Sequence, residues 1–433
     1  RKLVARHKGL FAFLGVMFVL LVGFAVAMAV QAERIAKERD RASREAETAQ
    51  KVSEFLVGLF QVSDPGEARG NTITAREILD KGAERIEREL KNQPLTQARL
   101  MDVMGNVYLS LGLYGQAESL LEGTLQTRRR EMGASPTDLA RSLQSLGWLC
   151  LLQGRGAEAE SLMREAMSIF ERTLGHECVE VAWIECRLSA PVSDRDLAEA
   201  RALLEHALEV FEKDPDANHF GISSCSEPLS VNLIWSGHYQ EATRAAERAL
   251  QIEQRYLSAE DPRVALAMNG LGFALLHTGD YARARPLLER AARLQEKTLG
   301  PDHQYLAWTL HSLGELLRRT GEFGESEVLL KRALAIHTGP SGAWQPEVGV
   351  VQTSLGDLYA QTGRHAEAEA SYQEAIAVLD RFAPNHALLA TTLTSYASLL
   401  RRVGRQAEAE PLEARARAIR EKHRTAAVTP PAG

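Results

Sequence analysis

The chain has 433 residues, with 51 basic and 57 acidic side chains and a formal net charge of −6. This balanced, slightly acidic composition lacks the basic footprint of a nucleic-acid binder, which excludes that class of partner. Aromatic content is 6%, Ala, Leu, Glu and Arg dominate, and no alternating β-branched run suggests a sheet, so an all-α chain is expected.

The sequence begins with Arg1 rather than Met, which reads as a segment of a longer chain. Residues 1–9 form a basic juxtamembrane stretch. From Leu10 to Val30 there is no charged residue, and 13 of the 21 are Leu, Phe or Val. At 1.5 Å per residue this run spans roughly 31 Å, close to a hydrocarbon core of about 30 Å. It is expected to be a transmembrane helix in contact with the bilayer. The runner-up is a signal peptide, because Ala27-Met-Ala29 resembles a cleavage site. The basic flank places the N-terminal side in the cytoplasm.

Residues 31–62 read as a charged helical stalk. Ile35, Arg39, Ala42, Ala46, Ala49, Ser53, Leu56 and Phe60 follow alternating spacings of four and three, a heptad seam with little bulk. A weak homodimer and a single rigid helix both fit it. Ser63-Asp-Pro-Gly66 breaks the helix. Residues 63–97 then hold a linker and a half repeat, in register with the full repeats, that caps the N-terminal end of the stack.

Residues 98–424 repeat with a period of 42. The turns are Gly112-Leu-Tyr, Gly154-Arg-Gly, Gly237-His-Tyr, Gly279-Asp-Tyr, Gly321-Glu-Phe and Gly363-Arg-His, with Gly404-Arg-Gln one residue early. Such a period is the signature of a solenoid, here of about eight helix pairs. In each pair a glycine ends the first helix in left-handed φ, and a residue such as Asp280 caps the second. A Leu-Gly dipeptide recurs as Leu146-Gly147, Leu271-Gly272, Leu313-Gly314 and Leu355-Gly356, with Met104-Gly105 in the first copy. Twelve residues on comes a small residue, as in Ala117, Ala159, Ala242, Ala284, Ser326, Ala368 and Ala409. Glycine facing alanine would let the two helix backbones approach. The third repeat has Arg195 at the turn-glycine position and Pro191 ending its first helix, and the fourth has Pro228 inside its first helix. A bend or weak stack is expected over residues 178–236. The last helix is basic, and residues 425–433 form a disordered tail.

No phosphate-binding loop, H-E-x-x-H, G-x-S-x-G or kinase catalytic loop occurs, so neither a catalytic residue nor a cofactor is expected within this segment. His303 and His311 could share a helix face, but they read as exposed or groove-lining, and no metal is expected. Cys150, Cys178, Cys186 and Cys225 lack zinc spacings and read as small apolar packing residues. A disulfide between neighbouring helices is open to them outside the cytoplasm. Glutamate and arginine runs on the second helices read as solvated faces.

The repeat resembles the tetratricopeptide family. Thr298-Leu-Gly-Pro-Asp-His303, Ala407-Glu-Ala-Glu-Pro-Leu412 and Ala284-Arg-Pro-Leu-Leu288 are similar to the long, kinesin-light-chain type. The resemblance implies a protein or peptide bound in a concave groove lined by first helices. It assigns to that groove Arg99, Asp102, Asn106, Arg141, Gln144, Trp148, Glu227, Trp235, Asn269, Phe273, His277, Trp308, His311, Glu315, Arg318, Arg319, Thr353, Asp357 and Arg401. Trp148, Trp235 and Trp308 would serve equally as inter-repeat core.

The order of basic stretch, apolar run, charged helix, Glu54-Phe-Leu-Val-Gly-Leu-Phe-Gln-Val-Ser-Asp-Pro65 and Thr74-Ala-Arg-Glu-Ile-Leu-Asp-Lys-Gly82 before the repeats resembles a second family. This is the C-terminal half of bacterial eukaryotic-like serine/threonine protein kinases. It implies a kinase domain before Arg1, which would use ATP and magnesium. It also implies a single-pass protein of the bacterial inner membrane, with the repeats outside the cytoplasm sensing a ligand. The alternatives are a membrane-tethered scaffold or assembly factor without a kinase, and a cargo adaptor.

Overall fold

The computed structural model describes residues 75–193, 195–339 and 345–426, with the isolated positions 28, 31 and 39. Among them lie 17 α-helices of described extent, which follow one another without a strand. They are α1 (Ala75–Glu89), α2 (Pro94–Ser110), α3 (Tyr114–Arg130), α4 (Pro136–Leu152), α5 (Gly156–Leu174), α6 (Val179–Ser193), α7 (Leu197–Phe211), α8 (Pro215–Trp235) and α9 (Tyr239–Tyr256). Then come α10 (Pro262–Thr278), α11 (Tyr281–Leu299), α12 (Gln304–Thr320), α13 (Phe323–Thr338), α14 (Gln345–Gln361), α15 (His365–Phe382), α16 (Ala387–Arg402) and α17 (Gln406–Ala426). From α2 onward the even-numbered helices are the first members of eight pairs.

The chain divides into two compact units, residues 1–104 and 105–433. In the first, α1 and the start of α2 are joined where Gln97 Nε2 donates to the Glu87 carbonyl at 3.5 Å. The second holds the rest of the helix pairs. Leu271, Leu275 and Leu276 of α10 are buried as their spacing requires. Gly279 ends α10 at φ 81°, in the left-handed region, and Asp280 accepts from the Arg283 N–H at 3.2 Å to start α11.

The glycine–small-residue approach expected within a pair is present, with the Ala159 carbonyl 3.4 Å from a Cβ on Gly147 and Ser326 Oγ donating to the Gly314 carbonyl at 2.7 Å, but a closer contact joins it. A Cβ on Gly272 would lie 2.6 Å from Leu288 of α11, sixteen residues on rather than twelve. The same holds for Gly105 and Leu121, Gly147 and Met163, Gly314 and Leu330, and Gly356 and Tyr372. The missing side chain makes a hole that a large side chain of the partner fills. Ala159 and Ala284, twelve residues after Gly147 and Gly272, are fully buried.

Where Arg195 replaces the turn glycine, the turn is closed by a shared carbonyl and a side-chain cap. The Val192 carbonyl accepts from both Arg195 and Asp196, and Asp196 caps α7 by accepting from Ala198 and Glu199. The expected bend appears as a local kink at Asn218 (φ −114°, ψ 17°), not at Pro228. Beside it the Phe211 ring leaves no room for a Cβ on Gly221. The stack continues through α6, α7, α8 and α9. One disulfide, Cys186–Cys225, joins α6 to α8 with Cα atoms 5.4 Å apart, while Cys150 and Cys178 are free.

Successive first helices pack on one another from α4 to α16. Successive second helices are instead bridged by long charged side chains, so their faces are not simply solvated. Arg129–Glu165 (2.9 Å), Arg164–Glu199 (2.5 Å), Arg283–Glu247 (2.7 Å), Arg332–Glu296 (2.6 Å), Arg364–Glu327 (2.7 Å) and Arg405–Glu369 (2.7 Å) repeat with nearly constant spacing. The last helix, α17, reaches back to α7. Trp235 at the end of α8 lies edge-on to His386, 5.5 Å between centroids.

The membrane-anchored part of the expected fold is corrected. No helix among the described residues is long and apolar enough to cross a membrane, and what stands is an α-solenoid. Apart from the isolated positions 28, 31 and 39, the span expected at residues 10–30 and the stalk at 31–62 lie outside the described residues. The assignment to the inner membrane loses its structural basis with them. α17 runs to Ala426, into the expected tail, and residues 427–433 lie outside the described residues.

Replacing Gly272 with Ala should destabilise the chain by about 1–3 kcal/mol in chemical denaturation, since the added methyl meets a packed leucine. A neutral result would mean that the hole is slack. Glu327 provides a second check. Hydrogen bonds from Arg364 and then Lys331 hold its carboxyl down at about 2. A depressed carboxylate stabilises the fold above its unfolded value of 4.5, and that contribution disappears as pH falls through about 2. Glu327→Gln should therefore cost stability at pH 7 and have little effect near pH 2, with the loss at pH 7 under about 1 kcal/mol for so exposed a pair.

Candidate functional site

Because the first helices are the members that pack on one another, the side chains between their contact faces form the wall of the groove. In the second unit the sequence-assigned residues fall into three groups along it. In the first, the Arg187 guanidinium of α6 lies over the Trp148 ring of α4 at 4.7 Å and near Trp183 at 5.9 Å. Burial lowers the pKa of Arg187, and no carboxylate pairs with it among the described residues. The nearby Gln144 is half-buried on α4.

The second group spans α8, α10 and α12. Glu227 faces Gly270, where a Cβ would stand 4.0 Å from its Cγ, and it lies close enough to Tyr305 to raise the phenol pKa after burial has done so. Tyr305 packs against Trp308 at 5.3 Å. Glu227 has neither ion-pair nor hydrogen-bond partner among the described residues, and burial alone pushes its carboxyl up to about 7. Beside it Asn269 is 7% exposed, with its Oδ1 unpartnered among the described residues. Glu347, at the start of α14, also has an unpartnered Oε2, and burial pushes its carboxyl to about 8.

The third group is a polar network across α10, α12 and α14. Glu315 is buried and accepts from Arg318 (2.6 and 2.8 Å) and Arg319 (2.8 Å). Burial opposes its ionisation, but the two guanidiniums outweigh it and keep the carboxyl below the usual range. Arg319 also donates to the Leu276 carbonyl at 3.1 Å, tying α12 to α10. His311 Nε2 meets Ser354 Oγ at 3.0 Å, and Asp357 accepts from Tyr372 at 2.6 Å. His277, edge-on to Phe273 at 4.8 Å, is driven down to about 4 by burial and then by Arg319, which keeps it neutral.

The remaining assignments are structural in position. Asn106 donates to Ser145 at 3.2 Å, and Thr353 and Thr392 share a hydroxyl contact of 2.8 Å between α14 and α16. Arg141 is exposed between Asp138 and Glu180, at 3.4 and 3.8 Å. Trp235 packs against the α15–α16 apolar cluster, and Arg401 pairs with Glu413 of α17 at 2.6 Å. Arg99 and Asp102 are half-buried on the part of α2 that belongs to the first unit. Arg187, Trp183, Gly270 and Tyr305 escape a frame built on fixed offsets from the leucine. The only signal for Tyr305 was its place one turn before Trp308.

The paired antiparallel helices, the glycine holes and the first-helix wall define a helical-repeat protein. The tetratricopeptide repeat family matches residues 96–172, 138–213, 263–338 and 347–422, more than half of the chain, and the chain belongs to that family. A Rap protein complexed with competence and sporulation factor has 15% identity and a TM-score of 0.62, over 88% of this chain and 99% of that one. The apo quorum sensor NprR from B. thuringiensis has 15% identity and a TM-score of 0.56, over 87% and 99%. A putative kinesin light chain from Podosopora anserina has 24% identity and a TM-score of 0.33, over 46% and 94%. These likenesses concern the fold. No curated protein matches the chain, and none of these matches links it to a kinase.

The pKa of Glu227 fixes the sign of one test. Raised above its unfolded value of 4.5, this carboxyl adds no penalty below that value and costs stability as pH rises through about 7. Glu227→Gln should therefore raise the melting temperature at pH 8 and leave it nearly unchanged at pH 4. An equal shift at both pH values would show that Glu227 has a partner.

Proposed function

We propose that the second unit binds a peptide or protein segment laid along the first-helix wall, using Glu227, Asn269, Tyr305 and Trp308. The observation that carries this reading is Asn269, whose buried Oδ1 has no partner among the described residues and stands beside an equally unpaired carboxylate. A buried acceptor without a donor costs of order 1–3 kcal/mol, which a bound backbone N–H would recover. Aromatic rings among such groups supply anchor area. The related folds support it: the Rap structure is a complex with a factor, and NprR has been seen with its cognate peptide NprX, at a TM-score of 0.55 over 85% of this chain.

Selection from a displayed random-peptide library against the whole chain tests this. Enriched peptides should lose at least tenfold in affinity on Asn269→Ala or Trp308→Ala and keep it on Arg293→Ala, an exposed second-helix change. Binders that ignore both wall variants would place recognition elsewhere.

A further inference from the structure

Away from the groove, the third repeat gathers chemistry that the peptide-binding reading does not use. His176 lies in the turn between α5 and α6, Glu185 on α6 and His206 on α7, and one donor atom from each falls within 4.8 Å of the others. The His206 Nδ1 meets Glu185 Oε2 at 2.7 Å, and the two imidazoles stack with centroids 4.3 Å apart. The outer ring is held as well: His176 Nδ1 meets Glu171 Oε1 at 3.0 Å. Glu185 itself is 3% exposed, yet its one ion-pair contact among the described residues is a histidine that is neutral unless protonated.

We propose that His176, Glu185 and His206 form a divalent-cation site, with zinc the best chemical fit, that fastens the α5–α6 turn to α7. Two imidazoles and one carboxylate suit zinc, which binds such nitrogen and oxygen donors at about 2.0–2.2 Å and fills a fourth position with water. Hard cations such as magnesium prefer all-oxygen shells and are disfavoured. Glu171 has the outer-shell role: a carboxylate on Nδ1 fixes the ring and leaves Nε2 to face the metal. Charge agrees with this. Glu171 and Glu185 bring two negative charges, and the neighbouring Glu177 is already neutralised by Lys213 at 2.5 Å. The donors must close up from their present spacing, and the 58% exposure of the His176 side chain leaves space around the ring for a small tilt that keeps its Glu171 contact. The clasp also falls where the repeat departs from its pattern. Arg195 stands at the glycine turn there, and an added tie between turn and second helix makes structural sense.

The whole purified chain, with its Cys186–Cys225 disulfide intact, should bind one zinc ion in calorimetry and melt at a higher temperature with zinc but not with magnesium. His176→Ala, on an exposed ring whose loss leaves the core intact, should weaken zinc binding at least tenfold. Glu185→Gln, which keeps the shape, should do the same, and both should abolish the zinc-dependent melting shift. Cys178→Ser should change neither. Overturning results would be zinc affinity unchanged in His176→Ala and Glu185→Gln, affinity lost in Cys178→Ser, or no zinc binding by the folded wild type. Because peptide selection is scored separately, failure here leaves the groove reading untouched.

Discussion

The structure depends on an absence at one position: the glycine in the middle of five of the first helices, α2, α4, α10, α12 and α14. A Cβ there would collide with Leu121, Met163, Leu288, Leu330 or Tyr372 of the partner helix. By leaving that volume empty, the first helix lets the second press close and plug it with a large side chain. The pair therefore becomes a rigid unit with a fixed crossing. Everything else is built by stacking such units, and an error in the pair would propagate along the solenoid.

The two layers of helices meet their neighbours differently. First helices touch one another directly, whereas second helices are spaced so that arginine and glutamate side chains span the gap. Exposed ion pairs of this kind contribute little each, and their value lies in setting the spacing between repeats. The layer of first helices carries a wall on which polar groups are crowded and poorly hydrated. This is why Glu227 and Glu347 hold protons to unusually high pH and His277 gives its proton up early. Where carboxylates and guanidiniums meet, as at Glu315, Arg318 and Arg319, the same crowding produces a fixed network that joins adjacent first helices.

The irregular region is the most individual part of the chain. It has a turn with arginine where the other repeats have glycine, a kink at Asn218 and a disulfide from α6 to α8. The His176, Glu185 and His206 group sits beside them. Several local devices stand in for the one glycine turn that the other repeats share, and each keeps the stack continuous by a different physical means. Trp235 belongs here too. It lies at a groove offset in the sequence, yet it meets His386 because the stack turns back on itself.

The 42-residue period, the Leu-Gly dipeptides and the Gly279-type turns were enough to establish helix pairs and their order, because helix periodicity and left-handed glycine are local properties. They also placed the first-helix positions of Glu227, Asn269, His277 and Glu315. Other features depend on distances between residues far apart in the chain. The sequence paired Gly272 with Ala284, but that Leu288 also fills the space over it was decided by the helix crossing, which fixes which turn faces which. Nothing local told Glu227, which lacks a partner among the described residues, from Glu315, which has two. Spacing alone could not have joined His176 to His206, 30 residues on, across Glu185. Charge pairing and ligand sets arise only once the helices have packed, and there the tertiary structure alone decided.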